Sequence, residues 1–343
     1  MSARIVFMGS PDFALPVLRR LLESEPARPA GGHEVVAVYT QPDRPAGRGR
    51  TLQAPPAKRL ALAHGVPVFQ PARVSAPDSV EELAKLAPDL IVIAAYGQIL
   101  KQPALDLPRR GVLNVHASLL PRHRGAAPVA AAILAGDDEA GVTIMQTELA
   151  LDAGPILAQR RVPISPHDTT GTLTERLAAE GADLLMEVLP AWLDGSLAPT
   201  PQDASRATYA PILHKEDGRV DWGLPAEDIW RRVRAFTPWP GAFTYLDGQA
   251  LRLLDTWPLA APAGGGPASG GEDQGQPAGL PVRQAGTVVP CPPWEAVPDQ
   301  AGFAVVSGWG LLAIMRLQLA GRRALPATDF LRGQRDLMGK RLG

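Results

Sequence analysis

Short apolar runs recur along the first half of this chain with amphipathic segments between them, and that alternation constrains the fold more than any other feature. The runs are IVFMG at Ile5–Gly9, HEVVAVYT at His33–Thr40, LIVIAA at Leu90–Ala95 and GVLNVH at Gly111–His116, with a shorter one at Val66–Phe69. Between them, Ala14, Val17, Leu18, Leu21 and Leu22 fall at helical spacing behind Pro11 and Asp12, and further helices are predicted at Ala57–His64, Ser79–Leu86 and Ala126–Ala135. Runs this continuously apolar must be covered on both faces. The alternation therefore predicts an α/β, Rossmann-like domain with a mostly parallel sheet between layers of helix. Val142–Glu148 and Pro155–Val162 then read as strands flanking the turn ALDAG, followed by a helix at Thr170–Leu193 that Pro190 should break near its end.

The pattern changes after Gly195. Ala198–Pro211 has the proline and polar content of a linker, so the first domain is drawn at 1–197, the linker at 198–211 and a second domain at 212–343. Past a helix at Ala226–Phe236, the short runs Phe243–Leu246, Ala250–Leu254, Gly286–Val289, Ala304–Val306 and Leu311–Leu317 predict a smaller OB-like β-barrel. A Gly/Pro-rich stretch at about 260–298 interrupts it and reads as a mobile surface loop.

The single cysteine, Cys291, excludes an internal disulfide framework and a cysteine-based zinc site. No run approaches the roughly 18 apolar residues of a spanning helix, and no apolar leader precedes the first strand, so a cytoplasmic protein without membrane contact is expected. Residues 1–203 carry 19 basic and 22 acidic side chains, and residues 204–343 carry 15 and 13, only a weak pointer to a polyanion partner for the second domain. The turn Gly9–Phe13 lacks the spaced glycines of a dinucleotide site, and no phosphate-loop lysine motif appears, so hydride transfer and nucleotide hydrolysis lose ground.

The strand at Gly111–His116 turns Asn114 and His116 to one side by its period of two, setting an amide beside an imidazole. The following SLLPR cannot prolong a helix through Pro121 and should lie as a loop at the carboxyl end of the strand, where open α/β sheets bind ligands. His33, His64, His167 and His214 stand singly beside loops and read as structural or solvated; His123, between Arg122 and Arg124, fits a ligand-contacting loop or a solvated tip equally. Asp152 is the carboxylate candidate for His116, although a loop Asp-x-Gly is also a common self-bonding turn.

These segments carry a resemblance. NVHASLLPRHRGAAPV, with IVFMGSPDFALPVL, TQPDRPAGRGR, AYGQIL, GVTIMQ, LDAGPIL, RRVRAFTPWPGAF and GRRALPATDFLRGQR, resembles the methionyl-tRNA formyltransferases, a branch of the 10-formyltetrahydrofolate-dependent formyltransferase family, over nearly the whole chain. The resemblance implies transfer of a formyl group from 10-formyltetrahydrofolate to the α-amino group of methionyl initiator tRNA in translation initiation, by a monomer that needs no metal. It implies that Asn114, His116 and Asp152 are catalytic, with Asn114 and a protonated His116 bonding the oxygen that gains charge and Asp152 keeping His116 charged. It implies a folate site at Ser118, Leu119, Leu120 and Pro121, walled by Tyr96, Gly97, Gln98, Ile99 and Leu100. For tRNA it implies that the flexible loop of Arg44, Arg48 and Arg50 closes over the acceptor end; Arg231, Arg232, Arg234, Arg322, Arg323, Arg332 and Arg335 read either as a phosphate track extending from it or as a solvated basic surface. Rival readings are another amine acceptor, an idle binding protein and hydrolysis of the formyl folate.

Overall fold

The computed structural model describes residues 2–24, 32–46, 51–259, 284–293, 297–334 and 336–343. Two compact units emerge, one of residues 1–132, 138–164 and 172–211, the other of 133–137, 165–171 and 212–343.

In the first unit the chain runs β1 (Ala3–Gly9), α1 (Ala14–Glu23), β2 (His33–Tyr39), β3 (Arg44–Ala46), β4 (Thr51–Gln53), α2 (Pro56–Ala63), β5 (Val68–Phe69), α3 (Pro77–Lys85), β6 (Leu90–Ala94), α4 (Gln102–Leu105), β7 (Val112–His116) and β8 (Arg124–Gly125). α5 (Pro128–Ala135), β9 (Glu139–Gln146), β10 (Ile156–Pro163), α6 (Thr170–Asp194) and β11 (Tyr209–Ala210) follow. The sheet order is β10-β9-β7-β6-β1-β2-β5. β5, β2, β1, β6 and β7 are parallel, while β9 pairs antiparallel with both β7 and β10.

The period of two sorts the core. Ile5, Phe7, Leu90, Val92, Leu113 and Val115 face a cluster with Val17, Leu18 and Leu21 of α1, Ala57 and Ala61 of α2, and Leu185 and Leu189 of α6. Val6, Met8, Ile91 and Val112 face the opposite cluster with Leu83 of α3 and Ala104 of α4. Burial of such a leucine or valine contributes about 1.5–3 kcal/mol relative to leaving it exposed, which holds both helical layers on the sheet.

Pro190 does not break α6, contrary to expectation: the helix continues to Asp194 with Pro190 inside it. The proline forfeits one backbone bond, but Leu189 is buried, and Trp192 and Leu193 pack on the same core, so tertiary packing outweighs the local cost. Within the Thr40–Arg50 segment Arg44–Ala46 does more than loop, since it pairs as β3 with β4 in an antiparallel ribbon.

The second unit contains α7 (Ala226–Ala235), β12 (Ala242–Leu246), β13 (Gln249–Leu259), β14 (Val288–Val289), β15 (Phe303–Val306), β16 (Leu311–Leu319), β17 (Leu325–Pro326) and α8 (Ala327–Gly333). Its strands run β12-β13-β16-β15-β14 with β17 against β16, a curled antiparallel sheet over a core of Ile229, Val233, Leu251, Leu253, Phe303, Leu312 and Ile314. Among the described residues no ladder joins β12 to β14, so this small β domain is an open half-barrel. Of the Gly/Pro-rich stretch, 260–283 and 294–296 lie outside the described residues, whereas Val288–Val289 is a buried strand. Among the described residues no helix is long and apolar enough to cross a membrane.

Candidate active site

The parallel strands change direction of progression between β1 and β6, and the loops leaving their carboxyl ends meet there. Ser10 Oγ reaches the Tyr96 carbonyl at 3.5 Å and accepts from the Gln41 amide at 2.9 Å. β7 lies beside β6 and delivers the central side chains. Because Leu113 and Val115 point into the α1–α6 core, Asn114 and His116 take the other face. Asn114 is half-buried, and no hydrogen-bond partner claims its carboxamide among the described residues.

His116 is buried, and its two ring nitrogens have different surroundings. Nε2 lies 3.1 Å from the His123 carbonyl, which only accepts, so Nε2 carries the ring proton. Nδ1 faces Asp152 Oδ2 at 3.8 Å, beyond hydrogen-bond reach. Burial pushes the His116 pKa below its ordinary value against the opposing pull of Asp152 and of the His123 carbonyl. The ring is therefore neutral near pH 7 with its lone pair on Nδ1. This corrects the expectation of a standing imidazolium: loss of solvent outweighs a carboxylate that is near but not in contact.

Asp152 is not a self-bonding turn residue. Its Oδ2 accepts from the Gly125 amide at 2.8 Å, far away in sequence, and its backbone sits in the left-handed region at φ 48°. Glycine is required at Gly125, one partner of this contact, and at Gly154, two residues beyond the other. A Cβ on Gly154 would lie 1.9 Å from the Gln146 carbonyl oxygen, and one on Gly125, at φ 118°, 2.5 Å from that of Ala210.

The loop between β7 and β8 is locked from beneath. Thr143 Oγ1, opposite His116 in the β7–β9 ladder, donates to the Ser118 carbonyl at 2.6 Å and accepts from the Leu120 amide at 3.2 Å. Gln159 Nε2 donates to the Leu120 carbonyl at 2.8 Å. Ser118 and Leu120 are themselves buried, with Ser118 Oγ donating to the Arg122 carbonyl at 2.7 Å. Ser118, Leu119, Leu120 and Pro121 thus come together beside His116, but two of their side chains are spent on the loop. At the neighbouring loop the ring of Tyr96 and the side chain of Leu100 are buried, Gly97 sits at φ 79°, and Gln98 ties its loop to the segment between β5 and α3, accepting from Val74 N at 2.7 Å and donating to the Pro71 carbonyl at 3.0 Å. Only Ile99, 77% exposed, offers a free apolar side chain.

Residues 198–211, expected as a linker, pack on this site. Tyr209 and Ala210 form a parallel ladder with Arg124 and Gly125, and Gln202 and Thr208 bond to the Asp152 turn and to His123. Thr143 had a faint sequence signal, a polar residue inside an apolar strand; Gln159, beside Arg160 and Arg161, had none, and neither had Gln202 and Thr208, whose partners lie about 50 and 85 residues away.

The basic residues separate. Arg44 is exposed and donates to Gln41 at 3.1 Å, while Arg48, Arg50 and Arg335 lie outside the described residues. Arg322 and Arg323 are exposed. Arg332 is exposed but bonded to Asp329 at 2.8 Å. Arg231 is paired with Glu227 at 3.2 Å and Asp228 at 3.7 Å, and Arg232 donates to the Asp217 carbonyl at 2.9 Å. Arg234 is buried over the ring of Trp230 at 3.7 Å, with the Ser165 and Asp168 carbonyls at 3.4 Å. Arg234 is therefore a core group and not part of the expected phosphate track, because helix α7 buries the face on which it falls, while Arg231 stays partly exposed.

Residues 3–189 match the family model for formyl transferase, and residues 212–335 that for the formyl transferase C-terminal domain. The methionyl-tRNA formyltransferase of Methylococcus capsulatus is 46% identical over 345 residues, covering 99% of this chain and 99% of that protein. That of Geobacter sulfurreducens is 45% identical over 341 residues, covering 99% and 96%. In fold, the chain is similar to an N-formyltransferase from Helicobacter canadensis solved with folinic acid and dTDP-3-aminofucose, at a TM-score of 0.62 and 15% identity over 92% of this chain and 99% of that one.

Proposed function

The chain belongs to the formyl transferase family, and on that premise we propose that it moves the formyl group of 10-formyltetrahydrofolate to the α-amino group of methionine carried by initiator tRNA. The observation that carries this reading is the convergence of an unclaimed carboxamide, a buried neutral imidazole and a carboxylate held beside it.

Those groups fit a formyl-bearing folate. The co-substrate supplies an electrophilic formyl carbon on a departing nitrogen. Acyl transfer to an amine builds negative charge on the carbonyl oxygen, and Asn114, with its N–H groups uncommitted, donates to that oxygen. His116 Nδ1, the one unprotonated ring nitrogen, takes the proton that the amine loses. The imidazolium so formed then faces Asp152, whose attraction at this separation is on the order of a few kcal/mol. Asp152 thus acts after the proton arrives, and the imidazolium then returns that proton to the departing folate nitrogen as its bond to the formyl carbon breaks. The backbones of Ser118–Pro121 and Tyr96–Leu100, with Ile99, read the pterin, since most of their side chains point inward.

Arg44, Arg322 and Arg323, together with Arg48 and Arg50, contact tRNA phosphates in this reading. The protein works in the cytoplasm as a monomer. The test is formyl transfer from 10-formyltetrahydrofolate to methionyl initiator tRNA beside uncharged tRNA, free methionine, glycinamide ribonucleotide and an amino sugar nucleotide, with wild type and His116→Ala. Transfer confined to the charged tRNA and lost in the variant supports both acceptor and site. Transfer to a small amine keeps the chemistry and replaces the acceptor; formate release alone overturns the transferase.

A further inference from the structure

We propose that residues 200–210 form a positioning strap for His116, with Gln202 fixing the Asp152 turn on one side of the ring and Thr208 fixing the His123 carbonyl on the other. The inference rests on the reading in which His116 and Asp152 handle the amine proton.

Gln202 uses both ends of its amide. Nε2 donates to the Asp152 carbonyl at 2.9 Å and the Gly154 carbonyl at 2.7 Å, while Oε1 accepts from Arg124 at 2.7 and 3.2 Å. Arg124 is buried and directly precedes Gly125, whose amide holds Oδ2 of Asp152. One side chain therefore ties the backbone of the Asp152 turn to the segment that holds its carboxylate. A charge-assisted bond at Oε1 and two bonds from Nε2 make this a rigid tie.

Thr208 acts on the opposite nitrogen. Its Oγ1 accepts from the His123 amide at 2.9 Å, and its carbonyl accepts from the Arg124 amide at 2.8 Å. His123 sits at φ 57°, a conformation that a non-glycine residue keeps only when its surroundings hold it there. The carbonyl of that same residue receives Nε2–H of His116. The strap is anchored at both ends, by the Thr200–Ile156 backbone pair and by the Tyr209–Ala210 ladder. Its bonds end on the backbone of the two residues that face the ring nitrogens. A mere spacer between domains has no need of them.

The groups facing His116 are Asp152 from the turn between β9 and β10, His123 from the loop after β7, and neutral Asn114 and Thr143; Arg122 and Arg124 flank His123 in the chain. Only Asp152 pulls the ring toward its charged form through space, so moving Asp152 away must leave His116 harder to protonate.

The test is an NMR titration of the His116 ring in the full-length protein without ligands, beside steady-state kinetics. Gln202→Met should carry the His116 titration further below its ordinary value and lower kcat by roughly ten- to a hundredfold with both KM values unchanged. In an Asp152→Asn background the same change should leave the titration where Asp152→Asn alone put it. Thr208→Val should erode the Nε2–H tautomer that Thr208→Ser preserves. A folded Gln202→Met protein that titrates like wild type overturns the proposal; so does an intact Nε2–H tautomer in Thr208→Val, which decides the matter if Gln202→Met does not fold. The titration needs neither folate nor tRNA, so a wrong acceptor leaves it unaffected.

Discussion

Nδ1 of His116 and Oδ2 of Asp152 face each other at 3.8 Å with no proton between them, because the ring proton is committed to the His123 carbonyl on Nε2. The pair is thus prepared to receive a proton. Asp152→Asn should shift the acidic limb of the kcat/KM profile to lower pH, since it removes the carboxylate that counters burial, and should lower the plateau about a hundredfold or more. A pH profile of the variant superimposing on that of wild type would count against the assignment.

Asn114 offers a cleaner separation of activity from stability. Its carboxamide is half-buried and unclaimed, so Asn114→Ala should change unfolding free energy by no more than about 0.5 kcal/mol. Loss of a donor to the charged oxygen should lower kcat by about 10²–10³-fold. Urea denaturation and single-turnover formyl transfer on one preparation check both halves.

The buried imidazole also makes stability depend on pH. Its pKa in the folded protein lies below that of the unfolded chain, about 6.5 for histidine. Between those values the unfolded state binds more protons, so His116 makes the fold lose stability as pH falls below about 6.5, and the loss levels off below the folded value. His116→Gln should show a shallower decline than wild type when unfolding is measured at pH 8 and at pH 5.5.

Arg234 and Arg323 should behave oppositely although both lie in basic clusters. Arg234→Ala removes a buried group stacked on Trp230 and should cost about 2 kcal/mol of stability while leaving the salt dependence of tRNA binding unchanged. Arg323→Ala, at an exposed position, should leave stability within about 0.5 kcal/mol and reduce the slope of log affinity against log salt by about one. Interchanged outcomes would return Arg234 to the tRNA surface.

Gly125→Ala tests the seam between β8 and β11. At φ 118° with Ala210 O 2.5 Å from the added Cβ, the change should displace the amide that holds Asp152. A stability loss of about 1–3 kcal/mol, with activity falling further than the unfolded fraction explains, is the expected result.

Periodicity was a sufficient guide to the sheet because each buried strand writes both of its faces into neighbouring residues: Val6 and Met8 on one side, Ile5 and Phe7 on the other. By the same rule the sequence alone puts Asn114 and His116 on one face. Local rules failed where a distant contact opposed them. Pro190 sits inside a helix because Leu189 and its neighbours are anchored in the core, and Arg234 left the surface because Trp230 and the 165–171 segment cover it.

The sequence by itself determined the alternation of strand and helix, the side to which the Asn114–His116 pair points, and the family resemblance. Only the tertiary structure decided that His116 is neutral, that Asp152 bonds Gly125 instead of its own turn, and that 200–210 grips the site. The physical reason is range. Strand faces and turn chemistry are set by neighbours a few residues apart, whereas desolvation, the separation of two charges and the partner of a lone glutamine depend on what folding brings together from across the chain.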